Sequence, residues 1–380
     1  QTMDFHFTEE QRILQKTARD FLQAECPSSF VLEMEDDEKG YTQELWNKMA
    51  ELGWMALVIP EEYDGVGGNL VDLVVMLEEM GRFCLPGPFF STVVLGCLGI
   101  MEAGSEEQMR TFLPKIGAGE LVLTMAISEP QNRKYDPFRV GVKAEAKEND
   151  FIINGTKLFV PDAHVSDYII CAARTSGDQR SKEGVTLFVV SSKSPGIHMT
   201  PMKTLAGDKQ FEVDFKEVSV PNDHVLGQID QGGEILEKIL QKGAICKCAE
   251  MLGGSQKVLE IATEYAKERE QFGRPIGSFQ AVQHHCSNML MDIEGSRYIT
   301  YKVAWLLGEG IPCTKQVSAA KAWTSEGYKR VAGLGHQIMG ATGYIIEHDM
   351  PLYSRRAKIA ELALGDAGYH RDVIAKELGL

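Results

Sequence analysis

The hydrophobic positions of this chain change their period twice. Up to about Glu120 they recur at helical spacing: Leu45, Met49 and Leu52, then Leu73, Met76, Leu77 and Met80, as on buried helix faces. Thr8-Glu9-Glu10-Gln11 and Ser105-Glu106-Glu107-Gln108 have the spacing of a capping box, in which a hydroxyl and a glutamine three residues on satisfy each other's backbone amides. Each predicts a helix start. Pro60 and the glycine-rich stretch 65–68 divide the run into separate helices.

From about Leu121 to Val225 the apolar runs shorten. Residues 150–155, 168–171 and 184–190 are β-rich and punctuated by Gly, Asn, Asp and Ser, while Phe211-Glu-Val-Asp-Phe215 alternates as a half-buried strand does. From Gly232 the helical period returns, over 235–269, 278–308 and 315–334, with a last helix beginning near Ser354. This order predicts an α+β protein with a helical domain over 1–120, a middle β-domain over 121–231 and a helical domain over 232–380. Strands do not alternate with helices, which argues against a dinucleotide-binding doubly wound sheet.

Composition narrows the class of partner. The 380 residues carry 54 acidic and 39 basic side chains, a formal net charge of −15 with a pI near 5.2. So acidic a chain repels phosphate backbones and anionic lipid, so neither nucleic acid nor a membrane surface is an expected partner. No apolar run approaches the roughly 20 residues that span a bilayer. Gln1-Thr2-Met3-Asp4-Phe5 lacks a basic stretch followed by an apolar one, so no secretory signal is expected, and Met3 is a candidate native start. The eight cysteines are scattered, Cys246-Lys247-Cys248 being the only close pair, which predicts reduced thiols in a cytoplasmic compartment and no metal site. The acidic run Glu35-Asp36-Asp37-Glu38 reads as a solvated loop.

Several motifs occur in a fixed order. They are Ala126-Ile-Ser128-Glu129-Pro130, Ile153-Asn-Gly-Thr-Lys157, Arg269-Glu-Gln271-Phe272-Gly273-Arg-Pro-Ile276, Gln337-Ile338-Met-Gly340-Ala341-Thr-Gly343-Tyr344 and Pro351-Leu-Tyr-Ser-Arg355-Arg356. Together they resemble the signature stretches of the acyl-CoA dehydrogenase superfamily over nearly the whole chain. The resemblance implies a helical domain, a β-domain and a C-terminal four-helix bundle. It also implies FAD held between subunits and electrons passed to an electron-transferring flavoprotein. By the same resemblance Arg269, Gln271, Phe272, Ile276, Gln337, Ile338, Gly340 and Ala341 serve the pyrophosphate and adenine end of FAD, and Ser128 and Phe159 its ring. The residue types suit those tasks. Arg269 offers a fork of donors for phosphate oxygens, Phe272 a flat apolar surface, and Gly340 close backbone approach. The alternative for Arg269 is a salt bridge to a helix neighbour.

The substrate side departs from the family pattern. Removing a weakly acidic α-proton requires a carboxylate of raised basicity. Where the resemblance places that glutamate the chain has Leu364, and at the alternative position on the long helix it has Gly243, followed by Ala244 in place of an arginine and preceded by Gln241 in place of an aspartate. The loop 131–137 is bulkier and more basic than the family's glycine-serine-aspartate turn, and Pro161 replaces a threonine. Asp366 is a candidate for a displaced base, with a helix cap as its plainer role, and His370 follows four residues later; the pair His284-His285 reads as a surface or core pair rather than a base. The pattern points to acyl-CoA dehydrogenation as the subunit without the base in an α2β2 complex with a homologous catalytic subunit. The alternatives are a homotetramer with a displaced base or with elimination or desulfination chemistry, and a catalytically silent FAD-binding scaffold.

Overall fold

The structure, a computed structural model, describes residues 6–132, 134–345 and 348–380, so the candidate start at Met3 and the loop residue Arg133 lie outside the described residues. The N-terminal part contains α1 (Glu9–Glu25), α2 (Ser28–Asp36), α3 (Gln43–Glu51), α4 (Leu70–Arg82), a π-helix over Phe90–Cys97, α5 (Leu98–Ala103) and α6 (Glu106–Gly117). Both capping boxes form: Thr8 opens α1 and Ser105 opens α6, each with its glutamine answering. Leu45 and Met49 are buried on α3, and Leu73, Met76, Leu77 and Met80 on α4. Leu52 departs from the expectation and is exposed, because α3 ends at Glu51 and Leu52 is its cap. The acidic run also departs from a loop. Glu35 and Asp36 close α2, and the Asp37 carboxylate accepts the Lys39 and Gly40 amides, both at 2.8 Å.

The middle of the chain supplies β1 (Leu123–Ala126), β2 (Lys143–Lys147), β3 (Asp150–Pro161), β4 (Tyr168–Arg174), β5 (Val185–Ser191), β6 (Ile197–Met202), β7 (Gln210–Pro221) and β8 (Val225–Leu226). They form one sheet in the order β6-β7-β3-β2-β4-β5-β8, with β1 parallel to β4. Alternate residues of β3 and β7 (Phe151, Ile153, Phe211, Val213, Phe215) join Ile169, Cys171, Phe188 and Val190 in its core.

The C-terminal part contains α7 (Gly232–Glu268), the short hairpin strands β9 (Glu270–Gln271) and β10 (Arg274–Pro275), α8 (Gln280–Gly308), α9 (Thr314–Met339), α10 (Met350–Leu362) and α11 (Ala367–Glu377). The last expected helix starts four residues earlier than Ser354, at Met350, because Pro351 occupies the first turn, where its missing N–H costs nothing. A further helix, α11, follows it.

The chain divides into two compact units. One comprises the N-terminal segment to Leu32, Leu70–Leu85 and Ala244–Leu380; the other comprises Glu33–Asn69 and Pro86–Gly243. Within the first, α1 is tied to α4 by the Arg19 guanidinium, which donates to both oxygens of buried Glu79 at 2.9 and 2.6 Å. All eight cysteines are free thiols and all but Cys286 are buried. Burial pushes the thiols of Cys26, Cys97 and Cys171 up to about 12. Among the described residues no His, Cys, Asp and Glu cluster could hold a metal ion, and no helix is long and apolar enough to cross a membrane.

Candidate functional site

The Arg269 region is an arm at the end of α7. The Arg269 amide closes the helix on Tyr265 at 2.8 Å, and the Arg269 carbonyl accepts from Ile276 at 2.8 Å, which shuts the base of the β9–β10 hairpin. At its tip Phe272 (φ 55°) and Gly273 (φ 77°) both take left-handed backbone, the requirement of a two-residue type I′ turn. Glycine adopts this freely; phenylalanine is strained there. Phe272 is nevertheless 91% exposed, touching Phe279 edge-on with ring centroids 6.1 Å apart. Arg269 is exposed and has no ion pair or side-chain hydrogen bond among the described residues, so the expected alternative of a helix salt bridge is not formed. Gln271 is exposed and Ile276 half-buried.

The second group closes α9. Gly340 ends the helix at φ 58° and ψ −138°, a conformation glycine alone adopts comfortably, and a Cβ there would meet nothing within 4 Å. Gln337, Gly340 and Ala341 are exposed, while the Ile338 side chain is buried, leaving only its backbone to any ligand. His336 underlies them, its ring stacked on Tyr344 at 4.5 Å and its Nε2 3.0 Å from Ser354 Oγ.

In the other unit, Ser128 pairs with Leu158 across an isolated bridge, the Leu158 amide donating to the Ser128 carbonyl at 2.8 Å. One extra residue on β3 bulges between Lys157 and Val160, and Phe159 stands out of it at φ 55°, 55% exposed. Below them lies a fully buried ion pair. Lys157 Nζ is 2.6 Å from Glu129 Oε1 and donates to the Ile127 carbonyl at 3.3 Å; the Glu129 carboxylate also accepts the Gly141 and Val142 amides, at 2.7 and 3.2 Å. Pro161 has no amide hydrogen to offer, and its carbonyl accepts from Thr124 Oγ1 at 2.5 Å.

Leu364 occupies a strained turn of its own, at φ 58°, followed by Gly365 at φ 95°. Buried polar groups hold both carbonyls. His370 Nε2 is 3.0 Å from the Leu364 oxygen, and Lys321 Nζ donates to the Gly365 oxygen at 2.9 Å and to the carbonyls of Ala360 and Glu361 at 3.1 and 3.0 Å. Lys321 is 0% exposed, and burial lowers its ammonium to about 8. A carbonyl only accepts, so Nε2 of His370 carries the proton and Nδ1 accepts from Ser318 Oγ at 3.2 Å. Burial, with Lys321 near, lowers the imidazolium to about 4. Asp366 caps α11, its carboxylate accepting the Tyr369 amide at 2.8 Å. His284 is exposed and His285 half-buried on α8, and Gly243 and Ala244 lie buried within α7.

The folded value for His370 lies below its unfolded value, so between them the unfolded state binds more protons. Stability is therefore full above about pH 6.5 and falls as pH drops toward 4, by on the order of 3 kcal/mol. Denaturant titrations across that window are expected to show the loss in wild type and a flatter profile in His370→Gln, whose amide can still donate to Leu364.

Three family models cover the chain in order: acyl-CoA dehydrogenase N-terminal domain over residues 8–120, middle domain over 124–218 and C-terminal domain over 230–379. A probable acyl-CoA dehydrogenase of Bacillus subtilis, YngJ, is 31% identical over 99% of this chain and 100% of its own length. The chain belongs to the acyl-CoA dehydrogenase family of oxidoreductases. Among solved structures, butyryl-CoA dehydrogenase from Megasphaera elsdenii superposes with a TM-score of 0.92 at 28% identity, over 100% of both chains. A chain of the ChsE4-ChsE5 complex from Mycobacterium tuberculosis gives 0.91 at 26%, over 99% of each.

The sequence drew attention to Leu364 and His370 but not to Lys321. A buried lysine within an Ala-Ala-Lys-Ala helical run carries no local sign that it caps a distant turn; only the charge itself, on an otherwise apolar face, could have drawn attention to it.

Proposed function

We propose that this chain is the subunit without the catalytic base in an α2β2 acyl-CoA dehydrogenase, lending its flavin arm to a homologous catalytic subunit. The observation that carries this reading is the Leu364 turn. An apolar side chain sits at the base position while the backbone keeps a costly left-handed conformation, and Asp366 and His370 beside it are already committed. Asp366 is an N-cap, and His370 is neutral with both nitrogens bonded. Gly243 and Ala244 leave the second base position equally empty. The homotetramer with a displaced base therefore loses Asp366 and His370 as candidates. The two-protein composition of the ChsE4-ChsE5 complex in its name supports the pairing by analogy.

The residues present fit FAD. An unpaired exposed Arg269, a strained aromatic at a hairpin tip, an amide at Gln337 and the open backbone at Gly340 converge in kind on a diphosphate and an adenine ring. Bound FAD supplies the redox chemistry. The chain's own residues bind and orient: Arg269 pairs with phosphate, Phe272 covers an aromatic face, and Ser128 and Phe159 form the wall that the Lys157–Glu129 pair holds up. An acyl-CoA is the proposed substrate and an electron-transferring flavoprotein the proposed acceptor. The proposed domains are 1–120, 121–231 and 232–380, and the proposed compartment is the cytoplasm.

In the assembled complex Arg269→Ala is expected to lower flavin retention on gel filtration about 10- to 100-fold, the loss of one charge-assisted contact. The melting temperature of the flavin-free chain should not move, since Arg269 pairs with nothing among the described residues. Leu364→Gly in the same complex should leave turnover unchanged. Retained flavin in the first variant, or lost turnover in the second, contradicts the reading.

A further inference from the structure

Residues 35–40, the acidic run with Lys39 and Gly40, lie as a strap over the loop that leads into β7. Lys209 Nζ donates to the Glu35 carbonyl at 2.8 Å, and the Lys209 methylenes pass so close to Gly40 that a Cβ there would be 2.7 Å away. A Cβ at Gly207, on the same loop, would likewise lie 2.7 Å from the Glu35 side chain. The strap is folded on itself through Asp37 Oδ1, which accepts the Lys39 and Gly40 amides. The loop in turn is tied to the end of β3. The Asp162 amide donates to the Lys209 carbonyl at 2.9 Å, and Pro161 pairs with Gln210 in the register of β3 and β7.

One titratable ring sits at this junction. His164 lies in the single turn Ala163–Val165 that follows β3, its ring stacked on Phe211 of β7 at 4.5 Å and 24°. Both ring nitrogens are shielded from solvent, and neither has a hydrogen-bond partner. Burial holds the imidazolium below its ordinary value of 6.5. The Glu38 and Lys39 carbonyls of the strap face the ring and favour its charged form, as does the Asp37 carboxylate, while the Lys209 ammonium opposes it. Neutral, the ring carries one N–H without an acceptor; charged, it carries two, and a positive charge cut off from solvent. Lifting the strap exposes the ring to water and relieves the charged form more than the neutral one.

We propose that His164 is an acid-sensitive latch: a proton on its ring lifts the strap 35–40 from the loop before β7 and the end of β3. The closed form binds that proton less readily than the lifted form. The lifted form therefore gains as pH falls through about 6.5, by up to about tenfold per pH unit, until the closed form is protonated as well. The latch requires neither bound flavin nor the α2β2 arrangement.

The test is hydrogen–deuterium exchange of peptides spanning 33–42 in the full chain, from about pH 8 to about pH 5, corrected for the intrinsic pH dependence of exchange. Wild type is expected to be level above about pH 7 and to exchange up to about tenfold faster per pH unit below about 6.5. His164→Phe, which keeps a ring for Phe211, and His164→Gln should stay level. Peptides of β4 report global opening of the same unit and should not share the rise. NMR of wild type labelled with 13C-histidine needs no variant, and should show the His164 ring titrating below the ordinary 6.5. A level wild-type profile, the same rise in both variants, or a His164 ring titrating at or above 6.5 overturns the proposal. So does a rise confined to pH below about 4.5, which would report the Asp37 carboxylate instead.

Discussion

Gly253→Ala is expected to prevent the helical unit from forming a stable fold. On α7 a Cβ at Gly253 would lie inside the carbonyl oxygen of Glu78 on α4, with Arg82 N only 2.7 Å away. The contact is reciprocal, since a Cβ at Gly81 on α4 would strike the carbonyl of Glu250 on α7. The two helices therefore touch backbone to backbone, and no flexible side chain can give way. Glu78 is itself pinned, buried and bonded to Arg297 and to Tyr301 Oη at 2.6 Å, so displacing its backbone also disturbs a desolvated carboxylate. Overpacking alone costs about 1–3 kcal/mol, and here the loss should be about 3 kcal/mol or more. Insoluble expression or a melting point many degrees lower checks it. Gly333→Ala on α9, where a Cβ meets nothing within 4 Å, is the control and should be neutral or stabilising by up to about 1 kcal/mol.

Glu129→Ala should be nearly as severe. It leaves the ammonium of Lys157, 0% exposed, with only the Ile127 carbonyl at 3.3 Å, and removes the acceptor of the Gly141 and Val142 amides. Breaking one side of such a pair costs about 3–5 kcal/mol. The double variant Glu129→Leu with Lys157→Met removes both charges at similar volume and should recover much of the loss. Recovery stays partial, because the two backbone amides remain without an acceptor. Urea unfolding of the three proteins, followed by far-UV circular dichroism, gives the comparison. A single variant as stable as wild type would mean that the pair carries little of the β-unit's stability.

Much of this architecture was legible from local pattern. Thr8 and Ser105 start helices where their capping boxes require, and the period of the apolar positions separates the long helices from the β-rich middle. What escaped is non-local. The four-residue strand Leu123–Ala126 is buried throughout and so shows no alternation. The exposed edge of Lys143–Lys147 reads as surface. Left-handed backbone at Phe159, Phe272 and Leu364 is invisible in residues that ordinarily avoid it, since only the surrounding tertiary structure imposes it. The candidate site divides the same way. Arg269, Gln337 and Gly340 were singled out by the family resemblance and are exposed, whereas the supports beneath the sites (Glu129 with Lys157, Lys321 with Gly365) are joined by pairings across 28 or more positions.

This chain is proposed to keep a flavin-holding arm and to have given up the base. The most direct measurement compares the chain purified alone with the chain co-expressed beside a homologous subunit that retains the glutamate, scoring bound flavin and acyl-CoA-dependent dye reduction in both. Little flavin and no turnover are expected of the chain alone, with full flavin and turnover in the complex. Full flavin loading and turnover by the chain alone would contradict it.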